Sequence, residues 1–428
     1  MKKIIFTTIL VFFISGLLPW NESSAQVKLT ISKKFGERIR MAVPPFSGNS
    51  YKAQQLSSQV EKYLDFSGFF QSVANSSFVS DQHNQDMKNG FIDFKGWQAI
   101  TAEILIKGKA NAFGDSMDVE FEVFSTSDQK RIFGKGLRGK SGDLSFLACT
   151  IADEILAKLT GNPPVFSKKI AFTTNYYKVK TVVISDFSGE NRVRLFTEAE
   201  LSTSPRWFFG EDKLLYVSYR KKNPAIYLLD LEKRADNIVI HFPGLNVNPD
   251  ISGNNRFVTF TASRDGNPEI YVKDLSSGNY LRVTESRAVD GDPAISPDGK
   301  SVAFVSNRYG TPQIFIQEGA SRLQRITWEG RYNTSPSWSP KGDMIAYASQ
   351  TENGFDIYVY DIKEQKSFPV VESRGNDDNP DWSADGRHLV FQSDRTGTSN
   401  IYAVDIFTRQ EIQITKSFGD CETPSWQK

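Results

Sequence analysis

The sequence predicts a mainly β protein, a six-bladed β-propeller preceded by a small α/β domain. Three observations lead to this prediction. A unit anchored on one proline recurs every 43 or 44 residues over the second half of the chain. Each unit contains four short strand patterns, and the incomplete units at the two ends of the repeat region complement each other. A period of this length with four strands per unit is typical of propeller blades.

Residues 1–25 are predicted to be a cleaved signal peptide. Lys2 and Lys3 precede a mostly apolar run over residues 4–18, which is short for a membrane span, and small residues precede a cleavage site after Ala25. The alternative is an uncleaved anchor. No later stretch has the length and apolar character of a transmembrane helix, so we expect an exported protein without a direct membrane span.

Residues 26–37 are predicted to be an exposed N-terminal segment. Val27, Leu29 and Ile31 alternate with polar residues, which is the pattern of a short strand with one apolar face. Such a segment at a free terminus could add itself to the sheet edge of a partner protein. The alternatives are an edge strand of its own domain or a frayed tail.

Residues 38–161 are predicted to form the small α/β domain. Apolar residues at four-residue spacing indicate a helix over residues 54–64. Strict alternation over residues 117–123 indicates a half-buried antiparallel strand, with neighbouring strands over residues 104–112 and 131–136.

The domain is expected to close with a helix that carries an apolar stripe from Leu144 to Leu159. We expect Ser141 to cap its N-terminus and Gly161 to end it. Pro163 and Pro164 then predict a stiff linker over residues 162–168.

Residues 169–428 are predicted to form the propeller. The repeating prolines are Pro205, Pro249, Pro293, Pro336, Pro380 and Pro424. The turn S-P-D-G at residues 296–299 follows one of them, and its proline and glycine favour a type I turn between antiparallel strands.

Five complete units begin at the first five prolines, and the remaining two fragments complement each other. Residues 169–197 supply a second, third and fourth strand, whereas residues 423–426 supply only a first strand. We therefore expect the C-terminal strand to close the first blade, which hides the sheet edges that an open ring would expose.

Composition and motifs argue against several functions. Lys and Arg number 51 against 50 Asp and Glu, which does not fit a nucleic-acid-binding protein. Neither G-x-S-x-G nor H-E-x-x-H occurs and the three histidines are scattered, so we predict no catalytic site, metal site or cofactor. A cation held by channel carboxylates stays an open alternative without supporting ligand spacing. Cys149 and Cys421 are expected to be unpaired and buried, although an exported protein could also form a disulfide.

Two sets of loops are expected on one face of the ring, opposite the side where the linker enters. The loops before the first strands carry polar residues next to each proline, and the loops between second and third strands carry arginines in register. The candidate partner-binding residues at this channel mouth are Asn248, Asp292, Ser335, Asn379, Arg264, Arg308 and Arg395. In the alternative, the arginines tie neighbouring blades together through acids of the other loop set.

Several motifs together resemble the TolB family of the Tol–Pal system in Gram-negative bacteria. They are the export signal, V-P-P-F at residues 43–46, K-L-T-G at 158–161, S-P-D-G-K at 296–300 and R-I-T-W-E-G at 325–330. The sequence departs from the family pattern in its basic N-terminal segment and in S-G-N-N at residues 252–255, where S-P-D-G is expected.

The resemblance implies a non-enzymatic periplasmic protein that supports outer-membrane integrity and cell division. It implies binding of a Pal-like peptidoglycan-associated lipoprotein through the propeller. It also implies contact with a TolA-like inner-membrane protein through the mature N-terminus, where Val27, Leu29 and Ile31 are the candidate residues. An exported propeller enzyme of the lactonase or hydrolase type and a ligand-binding propeller stay open as alternatives.

Overall fold

The computed structural model describes residues 37–78, 92–196, 201–319 and 321–428. All of them belong to one structural unit, Lys33–Lys428. The predicted signal peptide and the candidate residues Val27, Leu29 and Ile31 lie outside the described residues. Among the described residues, no helix is long and apolar enough to cross a membrane.

The first part of the chain forms an α/β domain around one five-stranded sheet. The strands are Ile39–Ala42 (β1), Phe70–Ser72 (β2), Ile104–Phe113 (β3), Ser116–Ser125 (β4) and Lys130–Lys140 (β5), in the spatial order β2-β1-β3-β4-β5. The helices are Lys52–Phe66 (α1), Phe94–Ala99 (α2) and Leu144–Thr160 (α3), with a 3₁₀ turn at Asn75–Ser77. β1 runs parallel to β2 and β3, whereas β4 and β5 continue the sheet antiparallel.

The apolar residues that alternate along β4 face the core of this domain, as predicted. Met117, Val119, Phe121 and Val123 are buried. Burying such a side chain contributes about 1.5–3 kcal/mol, so each of these four residues stabilises the domain appreciably. The acidic residues between them face solvent beside Lys107 and Lys109 of β3.

The predicted N-cap of α3 is wrong. The Asp143 side chain caps this helix and accepts a hydrogen bond from the Phe146 amide at 3.2 Å. Ser141 lies two residues earlier, and its hydroxyl donates to the Gly114 carbonyl at 3.0 Å, so it ties the β3–β4 turn to the start of α3. Gly161 does end the helix, with a left-handed φ of 75° and its amide bonded to the Ala157 carbonyl.

Six four-stranded antiparallel sheets follow, one for each predicted blade. The first blade begins with Ile170–Thr174 (β6), Thr181–Ser185 (β7) and Val193–Arg194 (β8). The second and third are Ser202–Trp207 (β9), Lys213–Ser218 (β10), Ala225–Asp230 (β11), Ala235–Ile240 (β12), Asn246–Ile251 (β13), Phe257–Ala262 (β14), Glu269–Asp274 (β15) and Tyr280–Arg282 (β16). The fourth and fifth are Asp290–Ile295 (β17), Ser301–Ser306 (β18), Gln313–Glu318 (β19), Arg322–Arg325 (β20), Asn333–Trp338 (β21), Met344–Thr351 (β22), Gly354–Asp361 (β23) and Lys366–Val371 (β24). The sixth is Asp377–Trp382 (β25), His388–Ser393 (β26), Asn400–Asp405 (β27) and Glu411–Gln413 (β28), and Cys421–Trp426 is β29.

The C-terminal strand closes the ring as predicted. β29 pairs antiparallel with β6, with Cys421 opposite Thr174 and Trp426 opposite Ile170. Trp426 is buried and stacks on Phe187 at 5.3 Å between ring centroids. The first blade is therefore built from both ends of the repeat region.

The turns between first and second strands have the predicted geometry. In S-P-D-G the Gly299 amide donates to the Ser296 carbonyl at 2.9 Å, and Gly299 has φ +75°. The divergent S-G-N-N turn keeps the same bond, from the Asn255 amide to the Ser252 carbonyl, with Asn255 at φ 57°. Asparagine tolerates this left-handed conformation better than other residues with a side chain, so the departure in sequence preserves the turn.

The α/β domain packs on the propeller at these same turns. Arg387 donates to the Gly68 carbonyl at 3.2 Å, and Phe166 of the linker stacks on Tyr63. The linker itself is held by Asp153 of α3, which accepts hydrogen bonds from the backbone amides of residues 165–167 at 2.7–3.0 Å. Cys149 and Cys421 are both free and buried, as predicted.

Candidate functional site

The six residues that precede the repeating prolines share one unusual backbone conformation. Each has a positive φ, between 47° and 54°. They are Ser204, Asn248, Asp292, Ser335, Asn379 and Thr423. Four of them are the predicted pre-proline candidates.

A β-bulge in every first strand explains the conformation. In β17 the pairing with β18 slips between Gly291 and Ala294, and the slip recurs in the other five blades. A bulge places one extra residue in the strand and redirects its side chain. Here the extra residues point into the central channel, where they line one cavity of about 60 Å³ together with Arg206 and the prolines Pro249, Pro293 and Pro336. The structure therefore brings the predicted pre-proline residues together.

Hydrogen bonds connect these residues around the channel. The Asn248 side-chain amide donates to one oxygen of Asp292, and the Thr334 hydroxyl donates to the other at 3.0 Å. Asp378 accepts the Asn379 amide at 2.6 Å. Burial raises the pKa of Asp292, and burial together with the nearby Asp292 charge raises the pKa of Asp378 to about 6.

Two further acids of the first strands, Asp381 and Asp250, lie close to cationic side chains of the protein. Lys428 contacts Asp381 at 3.0 Å, and Arg206 lies 3.9 Å from Asp250. Burial raises the pKa of Asp250, whereas Asp381 keeps a lowered pKa because Lys428 and Arg206 outweigh its burial. Among the described residues no group of three His, Cys, Asp or Glu side chains is placed to hold a metal ion.

Arg308 and Arg395 do pair with acids that precede the repeating prolines, as the alternative expected, but each pair lies within one blade and does not tie neighbouring blades together. Arg308 pairs with Asp290 and Arg395 with Asp377, each at 2.9 Å, and both acids begin the first strand of the same blade. The starts of the first strands and the loops between second and third strands lie on one face of the ring. An arginine in such a loop can therefore reach the acid that begins the first strand of its own blade. Arg264 is more exposed than the other two, contacts the adjacent Asp265 at 3.4 Å and lies over the Phe242 ring at 4.4 Å from its centroid.

Sequence reasoning missed five exposed aromatic residues on this face, which we call the aromatic rim. They are Tyr176, Tyr219, Tyr309, Trp328 and Tyr332, with exposed fractions of 55, 42, 70, 74 and 39%. All five lie in the two loop sets that surround the channel mouth. The available signal was the presence of large aromatic residues in loops, outside the register of the repeat.

Comparison with known proteins gives the family. Residues 156–428 match the family model of the TolB beta propeller domain, and residues 27–132 match that of the TolB amino-terminal domain. The chain belongs to the TolB family. The resemblance predicted from its motifs is thereby confirmed, as is the fold class of an α/β domain followed by a six-bladed propeller.

Relatives of known name agree with this assignment. The chain is 32% identical to the Tol-Pal system protein TolB of Desulfosudis oleivorans over 225 residues, which cover 51% of each chain. It is 30% identical to the same-named protein of Nitrosomonas europaea over 233 residues, 54% of this chain and 53% of that one. The aligned part thus spans about half the length of these relatives. The crystal structure of TolB from Acinetobacter baumannii superposes with a TM-score of 0.78 at 26% identity, covering 91% of this chain and 96% of that one.

Proposed function

We propose that this protein is a periplasmic, non-enzymatic component of the Tol–Pal system that supports outer-membrane integrity and cell division. It binds a Pal-like peptidoglycan-associated lipoprotein through the propeller face around the channel mouth. It binds a TolA-like inner-membrane protein through residues 26–37, after cleavage of the signal peptide at Ala25. One observation carries the proposal: the pre-proline residues and the aromatic rim lie together on the propeller face that the α/β domain leaves uncovered.

The composition of this face supports recognition of a protein. Tyrosine and tryptophan are enriched among the few residues that carry most of the binding energy in protein interfaces, and polar groups among them supply specificity. Trp328 and Tyr309 are the most exposed rings of the aromatic rim. We expect the lipoprotein to dock with its centre on Asn248, Asp292, Ser335 and Asn379.

The three candidate arginines have different roles in this proposal. Arg264 is half-exposed, lies over the Phe242 ring and pairs weakly with Asp265, and its exposed part supports a direct contact with the partner. Arg308 and Arg395 each hold a fully buried acid of their own blade, which supports a positioning role for the loops that surround the mouth. Arg308 directly precedes Tyr309, so we expect its ion pair with Asp290 to help fix the orientation of the Tyr309 ring.

The lipoprotein contact can be tested with two tyrosines of equal exposure. Tyr309 is 70% exposed on the aromatic rim, and Tyr51 is 71% exposed on the α/β domain. We expect Tyr309→Ala to weaken binding of the purified lipoprotein domain about tenfold, as for a central aromatic contact, and Tyr51→Ala to leave it within about twofold. Asp292→Arg should weaken binding as well.

Isothermal titration and thermal melting on the same variants separate contact from stability. If a variant has a lower melting temperature but binds the lipoprotein with unchanged affinity, the substituted residue has a structural role only. Unchanged affinity in Tyr309→Ala, Trp328→Ala and Asp292→Arg would move the partner to another surface.

The N-terminal contact can be tested by substitutions of opposite faces. If residues 26–37 add a strand to a TolA-like partner, one face of that strand is apolar and the other is solvated. We expect Leu29→Asp to abolish that binding and Thr30→Asp to preserve most of it, with lipoprotein binding unchanged in both. If a protein that lacks residues 26–36 still bound the TolA-like partner with full affinity, this segment would not be part of the interface.

A further inference from the structure

The α/β domain has a long sheet edge that no described strand covers. β5 contains 11 residues and stands last in the sheet order β2-β1-β3-β4-β5. At about 3.3 Å per residue it runs for roughly 36 Å. The outermost strands of the propeller blades have six residues at most. An exposed edge of this length presents a row of backbone groups that another extended segment can bond.

The β3–β4 turn determines which groups of β5 point outward. Phe113 and Ser116 pair across a two-residue turn in which Gly114 has φ +58°, so Ser116 directs its backbone bonds to β3. Ser116 lies opposite Lys140, and the alternation of an antiparallel ladder then turns the backbone groups of Gly134, Gly136 and Arg138 away from β4.

These outward groups are open over a defined stretch. In the described part of the chain, no residue donates to or accepts from the backbone of Gly134, Gly136 or Arg138 outside the β4 ladder. The open edge ends at Lys140, whose carbonyl accepts the Asp143 amide at 3.0 Å. A Cβ atom added at Gly136 would meet nothing closer than 4.0 Å, so an alanine is accommodated at this position without a clash.

The charge of β5 selects the kind of segment that fits. The strand carries five basic residues and no acidic one: Lys130, Arg131, Lys135, Arg138 and Lys140. Three of them pair within the domain, Arg131 with Glu122 at 2.8 Å, Lys135 with Glu154 at 2.6 Å and Arg138 with Asp118 at 2.8 Å. Lys130 and Lys140 are exposed at the two ends.

Like charges directly opposite each other destabilise strand pairs, whereas opposite charges stabilise them. Lys130 and Lys140, which stand outside these three ion pairs, therefore oppose pairing of this edge with a second copy of itself. They also oppose pairing of this edge with the chain's own N-terminal segment, because that segment carries Lys28, Lys33 and Lys34. An acidic strand meets no such penalty.

We propose that β5 binds an extended acidic segment of another protein by strand addition. Main-chain hydrogen bonds to Gly134, Gly136 and Arg138 hold the segment, and acidic side chains near Lys130 and Lys140 fix its position. This site lies on the α/β domain and is independent of the propeller face proposed for the lipoprotein.

The test uses a fluorescent 11-residue peptide in which Glu alternates with Val, titrated with the full mature chain. Gly136→Pro removes one outward amide, and proline is tolerated on an edge strand when its nitrogen faces away from the sheet. Gly136→Ala keeps that amide and is the matched control. We expect the proline variant to bind at least about tenfold more weakly, and the alanine variant to bind within about twofold of the parent.

Charge gives a second, independent readout. The double variant Lys130→Glu, Lys140→Glu should bind the acidic peptide several-fold more weakly than the parent protein does. Added salt should reduce this difference in affinity between the parent and the variant. In the parent protein, hydrogen exchange at Gly136 and Arg138 should slow when the peptide binds, which tests the site even if Gly136→Pro does not fold.

Four results would overturn the proposal. They are no binding of the acidic peptide by the parent, equal binding by Gly136→Pro, equal binding of a peptide with Lys in place of Glu, and tighter binding of a peptide that copies residues 26–36. The last result would assign the edge to the protein's own N-terminal segment.

Discussion

At the scale of single residues, buried carboxylates fix the loops around the channel mouth. Asp290 and Asp377 are fully buried, and each is held by an arginine from the loop between the second and third strands of its blade. A buried charge without a partner is costly, so these pairs are needed once the acid is present, even though the pair as a whole adds little stability.

We expect Arg308→Gln to lower the free energy of unfolding by about 3 kcal/mol, because it leaves Asp290 buried without a cation. The double variant Asp290→Asn, Arg308→Gln should recover most of that loss. Arg264→Gln, at a half-exposed pair, should cost less than about 1 kcal/mol. Chemical denaturation measures all three. Equal losses in Arg308→Gln and Arg264→Gln would contradict the importance of the buried acid.

Asp378 gives a prediction about pH. Its pKa is raised to about 6 in the folded protein by burial and by the charge of Asp292. The folded protein therefore holds this proton more tightly than the unfolded chain, and the contribution of Asp378 to stability falls as pH rises through about 6.

Asp378→Asn removes the charge and should raise the free energy of unfolding by about 1–3 kcal/mol at pH 8, since each pKa unit corresponds to about 1.4 kcal/mol. Its amide oxygen can still accept the bond from the Asn379 amide. The difference from the parent should vanish near pH 4. A gain that is the same at pH 4 and pH 8 would assign the effect to packing instead of ionisation.

At the scale of elements, the repeat made the propeller predictable. Proline, turn and aromatic positions recur in register, and closure follows because one fragment lacks the strand that the other supplies. The bulges add the detail that the pre-proline residues point into the channel. The strands, the turns and the closure could be predicted because they depend on local sequence that recurs from blade to blade, whereas the bulges became visible only in the structure.

The remaining features depend on contacts between distant segments. Asp143 caps α3, whereas the Ser141 hydroxyl bonds to the β3–β4 turn, a contact that no local pattern records. The partners of Arg308 and Arg395 depend on how two loops meet within a blade. The aromatic rim lies outside the repeat register, so exposure of Tyr309 and Trp328 becomes visible only in the folded chain.

Closure of the ring predicts different outcomes for two tryptophans. Trp426 is buried in β29 and donates to the Val165 carbonyl at 3.3 Å, whereas Trp328 is 74% exposed. We expect Trp426→Ala to lower the free energy of unfolding by about 3–5 kcal/mol, and Trp328→Ala to change it by about 0.5 kcal/mol or less. Deletion of residues 422–428 should destabilise further. An unchanged melting temperature in that truncation would contradict closure by the C-terminal strand.

At the scale of the whole molecule, the two faces of the propeller have separate tasks. Turns between first and second strands, and between third and fourth strands, contact the α/β domain through Arg387, His388 and Gln410. The opposite loops surround the channel mouth and leave their aromatic side chains exposed. A partner on that face can therefore bind without displacing the α/β domain.

His388 lies at the centre of the contact between the domains. It is 1% exposed, one ring nitrogen is 3.0 Å from Asp385, and the other is 3.4 Å from the Phe66 carbonyl and 3.6 Å from Asp405. Burial by itself would lower the pKa of His388, but Asp385 and Asp405 raise it, against a smaller opposing effect of Arg387. The protonated ring can donate to both sides of this contact.

Because its folded pKa is raised, His388 stabilises the protein fully below its unfolded pKa of about 6.5, and this stabilisation is lost as pH rises through the higher folded value. This window lies above that of Asp378, so the two effects can be separated. We expect the free energy of unfolding to fall between pH 6 and pH 9, and His388→Gln to reduce that fall. His241→Gln, at an exposed histidine, is the matched control for removal of an imidazole. Equal slopes in the parent and in His388→Gln would mean that the ring is neutral at the domain contact throughout this range.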